Sequence, residues 1–133
     1  MSTLVIFFSS FNFKFFSCAN FLLIVFIYAL DLMARTEPPA PRMGHSSVVY
    51  DRKLWVYGGK GERSNLNDLA VYSFSKNVWL APQSATGSTP GQRRSHHATV
   101  YNNKMYIYGG YFGYNLVTDM FEYDFGIFLF IFY

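Results

Sequence analysis

The chain is 133 residues long, half hydrophobic and a fifth aromatic, which allows one modest domain and excludes disorder over most of its length. Eleven Lys and Arg against eight Asp and Glu leave a formal charge of +3, too mild to point to nucleic acid without a basic stripe. The single cysteine, Cys18, excludes an intrachain disulfide framework, and the absence of any Asn-x-Ser/Thr sequon leans the same way, toward a reducing compartment such as the cytoplasm.

Three unlike regions follow one another. Residues 1–33 carry only two charges, Lys14 and Asp31, and residues 125–133 carry none. Twelve of the 15 Phe lie in those two ends, so both look chemically foreign to the middle. The stretch 15–30, FFSCANFLLIVFIYAL, is uncharged and 16 residues long, short of the roughly 20 that a spanning helix needs. It reads as a hydrophobic N-terminal helix, either a membrane or signal-like segment that would anchor the chain, or translated non-coding sequence. The tail at 126–133 shares the last reading and is not expected to form a strand, because it has no polar turn and no Trp.

The middle repeats itself. A shift of 51 residues aligns 42–74 with 93–125 without a gap, and 11 of the 33 pairs are identical. Each copy reads as short strands in a meander. HSSVVY (45–50) and HHATVY (96–101) are rich in β-branched residues and lead into the turns DRK and NNK. Next come KLWVYGG and KMYIYGG, in which Leu54 and Val56 face one way and Trp55 and Tyr57 the other. Gly58-Gly59 and Gly109-Gly110 are expected to terminate these strands. Third strands start at Asp68 and Asp119, and a fourth, VWLA (78–81), follows the SKN turn. A Pro/Gly/Ser/Thr-rich connection at 82–92 leads into the second copy. Two four-stranded antiparallel units with a period near 50 predict an all-β fold, a partial β-propeller built of stacked blades.

At this point the sequence resembles the kelch repeat family. In the first repeat (37–81) the carrying residues are Arg42, His45, Gly58, Gly59, Asp68, and Tyr72 followed seven positions later by Trp79. In the second (93–125, truncated) they are Arg93, His96, Gly109, Gly110, Asp119 and Tyr123. Segments such as NDLAVYSF resemble kelch proteins of the leucine-zipper-like regulator type. The position of Trp79 is taken by Phe130 in the second copy. The resemblance implies a protein-binding scaffold or substrate-recognition fragment, with ubiquitin-ligase components among the partners. Some kelch propellers resemble galactose oxidase, which leaves a fragment of a copper enzyme as the alternative. A membrane-anchored kelch protein is another.

Candidate chemistry within the repeats reads as scaffold. His45 and His96 are repeat-equivalent and so belong to two blades, and no cysteine or carboxylate cluster accompanies them, so no metal is expected. The GGKGERS stretch lacks the GxxxxGK[ST] pattern of a phosphate loop. Asp68 and Asp119 read as turn caps rather than catalytic acids. No nucleophile–base pair is legible, so no enzyme activity and no cofactor is expected. Arg93, Arg94 and Lys104 read as a small solvated basic patch, and Trp55, Tyr57, Tyr106 and Tyr108 as blade-to-blade packing. What differs between the copies is the loop after each glycine pair. The expected partner-binding residues are therefore Lys60, Glu62, Arg63 and Asn65 in one, and Tyr111, Phe112, Tyr114 and Asn115 in the other, sharing a face with 82–92.

Overall fold

The computed structural model describes Phe26, residues 35–81 and residues 85–133. The chain divides into two compact units, Met1–Met33 and Ala34–Tyr133. The expectation of an N-terminal helix over 15–30 falls, apart from Phe26, outside the described residues. Among the described residues no helix is long and apolar enough to cross a membrane.

Every element of the second unit is a β-strand. β1 (Arg35–Thr36), β2 (Ser46–Tyr50), β3 (Lys53–Lys60), β4 (Asn65–Ser73) and β5 (Val78–Leu80) form one sheet in the order β1-β5-β4-β3-β2. β6 (Thr86–Gly87), β7 (His97–Tyr101), β8 (Lys104–Phe112), β9 (Asn115–Asp124) and β10 (Leu129–Phe132) form the other, in the order β6-β10-β9-β8-β7. Each sheet contains the expected four-stranded antiparallel meander. Each also gains a two-residue fifth strand at its outer edge, antiparallel in the first blade and parallel in the second.

The turns explain the registers. Asp51-Arg52 and Asn102-Asn103 all have positive φ, the backbone of a tight two-residue hairpin whose twist matches that of its strands. Alternation then sends Ser46, Val48, Trp55, Tyr57, Leu69 and Val71 to one face of the first blade. Trp55, Tyr57, Leu69 and Val71 pack against Met105, Ile107, Phe121, Tyr123, Phe125 and Phe130 of the second blade in one buried cluster. The core is thus the seam between the two blades, and Tyr50 stacks on Phe125 across it with centroids 4.1 Å apart.

Two expectations are corrected here. The tail does form a fourth strand: β10 pairs antiparallel with β9, Phe130 opposite Tyr123. Phe130 is buried and packs 4.7 Å from the Tyr123 ring, as Trp79 packs on Tyr72 at 5.3 Å. A polar anchor for its turn exists too, since Asp124 Oδ1 accepts from the amides of Gly126 and Ile127. The glycine pairs do not end their strands either. β3 and β8 run through them, with a bulge between Tyr57 and Gly59 and between Tyr108 and Gly110. Gly58 has φ of 59° and Gly59 of 99°, backbone that side chains rarely tolerate. A Cβ on Gly58 would lie 2.8 Å from the Arg93 carbonyl oxygen, and the Gly59 amide donates to that same oxygen at 2.8 Å. The glycines open the first blade so that the backbone of the second can dock.

Candidate functional site

The cleft is framed by two equivalent backbone bridges. In the first blade Met43 and Lys60 exchange amide–carbonyl bonds at 3.0 and 2.7 Å, and in the second Arg94 and Tyr111 do so at 3.2 and 2.9 Å. Each bridge pins the segment entering a blade to the far end of its second strand. The backbone places are shared by the two repeats, but the side chains on them are not.

Beyond those bridges the loops are shorter than the sequence implies. β3 runs to Lys60 and β4 begins at Asn65, leaving 61–64 as the loop; between β8 and β9 only Gly113 and Tyr114 remain. A cleft of about 360 Å³ opens between the two hairpins. Its walls are Lys60, Arg63, Ser64 and Asn65 from the first blade and Phe112, Gly113 and Tyr114 from the second, with Gln92 and Arg94 from the connecting chain. Five of the eight expected contact residues therefore meet at one place. Asn65 Nδ2 donates to the Tyr111 carbonyl at 3.4 Å, tying the two hairpins together. Glu62 lines a neighbouring hollow with Pro41, Arg42, Met43, Lys60 and Gly61. Asn115 is exposed and lies outside both linings.

The cleft is cationic. Among the described residues no carboxylate lies within salt-bridge distance of Lys60, Arg63 or Arg94, whereas Arg42, Lys53, Arg93 and Lys104 are all paired. The aromatic rim is open to solvent: Tyr114 is 97% exposed and Phe112 half exposed. The Arg94 guanidinium lies over the Tyr111 ring, 5.2 Å from its centroid, a cation–π contact that holds the arginine in place without neutralising it.

The expected basic patch of Arg93, Arg94 and Lys104 does not exist as a unit. Arg93 is buried and makes a bidentate pair with Asp119 at 2.8 and 2.9 Å. Lys104 contacts Glu122 at 2.5 Å, and only Arg94 reaches the cleft. Arg94 could have been found from sequence: it replaces Met43 in the repeat, and the unshared positions are those that line the cleft.

Asp68 and Asp119 are likewise not turn caps. Asp68 accepts a fork from Arg42 at 2.7 and 2.9 Å, and Asp119 the same fork from Arg93. In both blades the arginine also donates to the carbonyl of the first glycine, Gly58 or Gly109, at 3.1 Å. The pair locks the start of each repeat to its third strand.

His45 is exposed and His96 buried, so the repeat-equivalent histidines meet different surroundings. His96 Nε2 and Ser46 Oγ are hydrogen-bonded at 2.7 Å across the seam, and its Nδ1 has no partner among the described residues. Burial, reinforced by the Arg93 charge, lowers its pKa to about 4, so the ring is neutral near pH 7. The Tyr57 hydroxyl donates to the Pro90 carbonyl, and burial pushes its pKa upward. Trp55 and Tyr57 pack in the seam as expected, but Tyr108 is 51% exposed on the other face of the second blade and Tyr106 is only partly covered.

Residues 29–129 match the family described as the KLHDC2/KLHL20/DRC7 Kelch-repeats domain. Over 94 residues, 65% of this chain and 10% of the relative, the chain is 38% identical to the leucine-zipper-like transcriptional regulator 1 homolog of Drosophila melanogaster. It is 35% identical over 74 residues to Kelch domain-containing protein 3 of Homo sapiens, covering 55% of this chain and 19% of that one. The chain thus spans a fifth or less of the curated relatives it matches most strongly. A solved structure, that of YjhT, superposes with a TM-score of 0.63 at 19% identity, over 74% of this chain and 40% of the other, and so agrees in fold.

Proposed function

Since the chain belongs to the Kelch-repeat family, we propose that it is a protein-interaction module and that the cleft between the 61–64 and 113–114 hairpins is its contact surface. The observation that carries this reading is the convergence of three cations that have no carboxylate partner among the described residues, Lys60, Arg63 and Arg94, with two exposed aromatic rings, Phe112 and Tyr114. Arg and aromatic side chains are the usual anchors of interfaces. The fixed backbone bridges beneath them reduce the entropy lost on binding. Three cations with no carboxylate within salt-bridge distance among the described residues favour a partner segment that carries Asp or Glu beside an aromatic or aliphatic residue. Partners of the kind the resemblance implies, ubiquitin-ligase components among them, would be recognised by that chemistry.

The test uses the full chain and two labelled peptides, one rich in Glu and Tyr and one rich in Lys and Tyr. The acidic peptide is expected to bind, more weakly as salt rises. Arg63→Glu and Arg94→Glu should each weaken it by on the order of tenfold or more, the size of a hot-spot contact. Equal binding of the two peptides, or acidic binding indifferent to both substitutions, would refute this assignment.

A further inference from the structure

The cleft between the hairpins is small, and two of its side chains are held in place. At about 360 Å³ it lies near the lower end of ligand-sized pockets, about 300–1,000 Å³. One compact side chain fills such a space, and a run of several does not. Arg94 is held over the Tyr111 ring, its guanidinium carbon 5.2 Å from the centroid. Phe112 is seated as well. A Cβ on Gly91 would come within 2.7 Å of Phe112 Cε2, so the ring lies directly on the Gly91 backbone and leaves about half of its surface open. Gly91 does not have a positive φ, so the missing side chain makes room for the ring and relieves no backbone strain.

Charge narrows the occupant further. Lys60, Arg63 and Arg94 have no carboxylate within salt-bridge distance among the described residues. Glu62, between Lys60 and Arg63 in sequence, lines the neighbouring hollow instead. A single Asp or Glu brings one negative charge to three cations, and no ring to Phe112. A phosphate monoester brings about −1.5 to −2 near pH 7 and three strong acceptor oxygens. We infer that the cleft takes one phosphotyrosine side chain of a partner protein. Its phosphoryl oxygens accept from Lys60, Arg63 and Arg94, and its ring packs on Phe112. Phosphotyrosine joins a double charge to an aromatic ring in one side chain, which is what a cleft of this size and lining can hold. Arginine forks match phosphate oxygens, and an arginine already set by a cation–π contact loses less freedom in binding them. Gly91 acts as a positioning residue, because it sets the Phe112 ring without touching the ligand. The inference rests on the reading of the cleft as the contact surface, and it makes phosphorylation of the partner the switch for binding.

Fluorescence anisotropy tests it, with the full chain and four labelled peptides that share neutral flanks and differ only in a central phosphotyrosine, tyrosine, glutamate or phosphoserine. Phosphotyrosine should bind tightest, on the order of tenfold or more over tyrosine and glutamate. Phosphoserine lacks the ring and should fall below phosphotyrosine. Arg94→Gln should remove the preference for phosphotyrosine over tyrosine. Phe112→Ala and Gly91→Ala should each bring phosphotyrosine down to the level of phosphoserine while leaving phosphoserine unchanged, a pattern that general unfolding does not give. Glutamate bound as tightly as phosphotyrosine overturns the inference and leaves the acidic-partner reading standing. Phosphoserine equal to phosphotyrosine overturns it too, because the ring is then not read. So does tighter binding of a labelled oligothymidine, which would give the cations to a nucleic-acid backbone. Binding of none of the four peptides also overturns it, and the Glu- and Tyr-rich peptide then shows whether the acidic-partner reading falls with it.

Discussion

The two blades are the same scaffold under different burdens. Both carry the Arg–Asp fork, the glycine bulge, the positive-φ hairpin and the tyrosine that packs on the fourth strand. What differs is which side of each is covered. Arg93 and Asp119 have side chains 2% and 25% exposed, while in the first blade Arg42 is 7% and Asp68 48% exposed, so the difference lies in the carboxylate. An identical motif in the sequence is therefore a seam element in one blade and a rim element in the other. Position along the repeat sets the geometry, and neighbours set the energy.

The largest test of that contrast is the fork. Arg93→Met keeps the volume but strands Asp119 and removes the donor to the Gly109 carbonyl. Loss of a buried partner of this kind costs about 3–5 kcal/mol. Arg42→Met leaves Asp68 in reach of water and should cost less, about 1–2 kcal/mol, for a half-exposed pair and the lost donor to the Gly58 carbonyl. Equilibrium urea denaturation of the two variants measures the difference. Equal losses would mean that the seam does not distinguish the blades.

The histidines give the next effect, in pH. His96 has its folded pKa lowered to about 4, by burial first and then by Arg93, His45 and His97. The unfolded chain protonates near 6.5, and the folded chain does not. Stability is therefore complete above pH 6.5 and is lost as pH falls from about 6.5 to 4, by roughly 3 kcal/mol in total. His96→Gln should flatten that part of the stability–pH profile. A wild-type profile flat between pH 7 and 4.5 would rule out the buried neutral ring.

How much of this was legible beforehand depends on whether a feature is local or belongs to the seam. The fold and the loops that would differ were readable because the 51-residue shift separates shared from unshared positions. The same shift also displayed Arg42…Asp68 and Arg93…Asp119 at an identical 26-residue separation, and pairing them would have revealed the fork. Other facts had no local signal. Gly58 looks like a strand end from its own neighbours, and only the backbone of residue 93 explains it. Arg93 and Arg94 look alike in sequence, yet one turns into the seam and the other onto the cleft. The tail looks unfit for a strand because it has no polar turn and no Trp, Phe128 standing where the first blade has Asn77, but Asp124 anchors its turn from the strand before.

That missing Asn defines a smaller test. Asn77 and Phe128 are repeat-equivalent and share the same backbone, with φ of 56° and 54°. Asn tolerates that region and a bulky residue does not. The Tyr72 hydroxyl donates to Asn77 Oδ1, whereas the buried Tyr123 hydroxyl has no partner among the described residues. Phe128→Asn should stabilise the chain by about 1–2 kcal/mol, through relief of strain and through a new acceptor for Tyr123. Part of that gain is offset by the contact Phe128 makes at the edge of the core cluster. A thermal midpoint no higher than wild type would show the contact to outweigh both.

The smallest expected change isolates the hydroxyls themselves. Tyr72→Phe removes a donor from a satisfied pair and leaves Asn77, which is exposed, to water. It should cost about 0.5–1.5 kcal/mol, the net worth of one hydrogen bond. Tyr123→Phe removes a buried hydroxyl that is paid nothing for its desolvation, a burial that also raises its pKa to about 12. The ring contacts with Trp55, Phe125 and Phe130 stay in place. This substitution should be neutral or stabilising by up to about 1 kcal/mol, because an unsatisfied buried donor carries its desolvation cost uncompensated. The two substitutions are chemically identical and sit 51 residues apart at the same place in the repeat. Opposite signs in urea denaturation would locate the difference in the fourth strand's turn, and equal signs would mean that Tyr123 finds a partner after all.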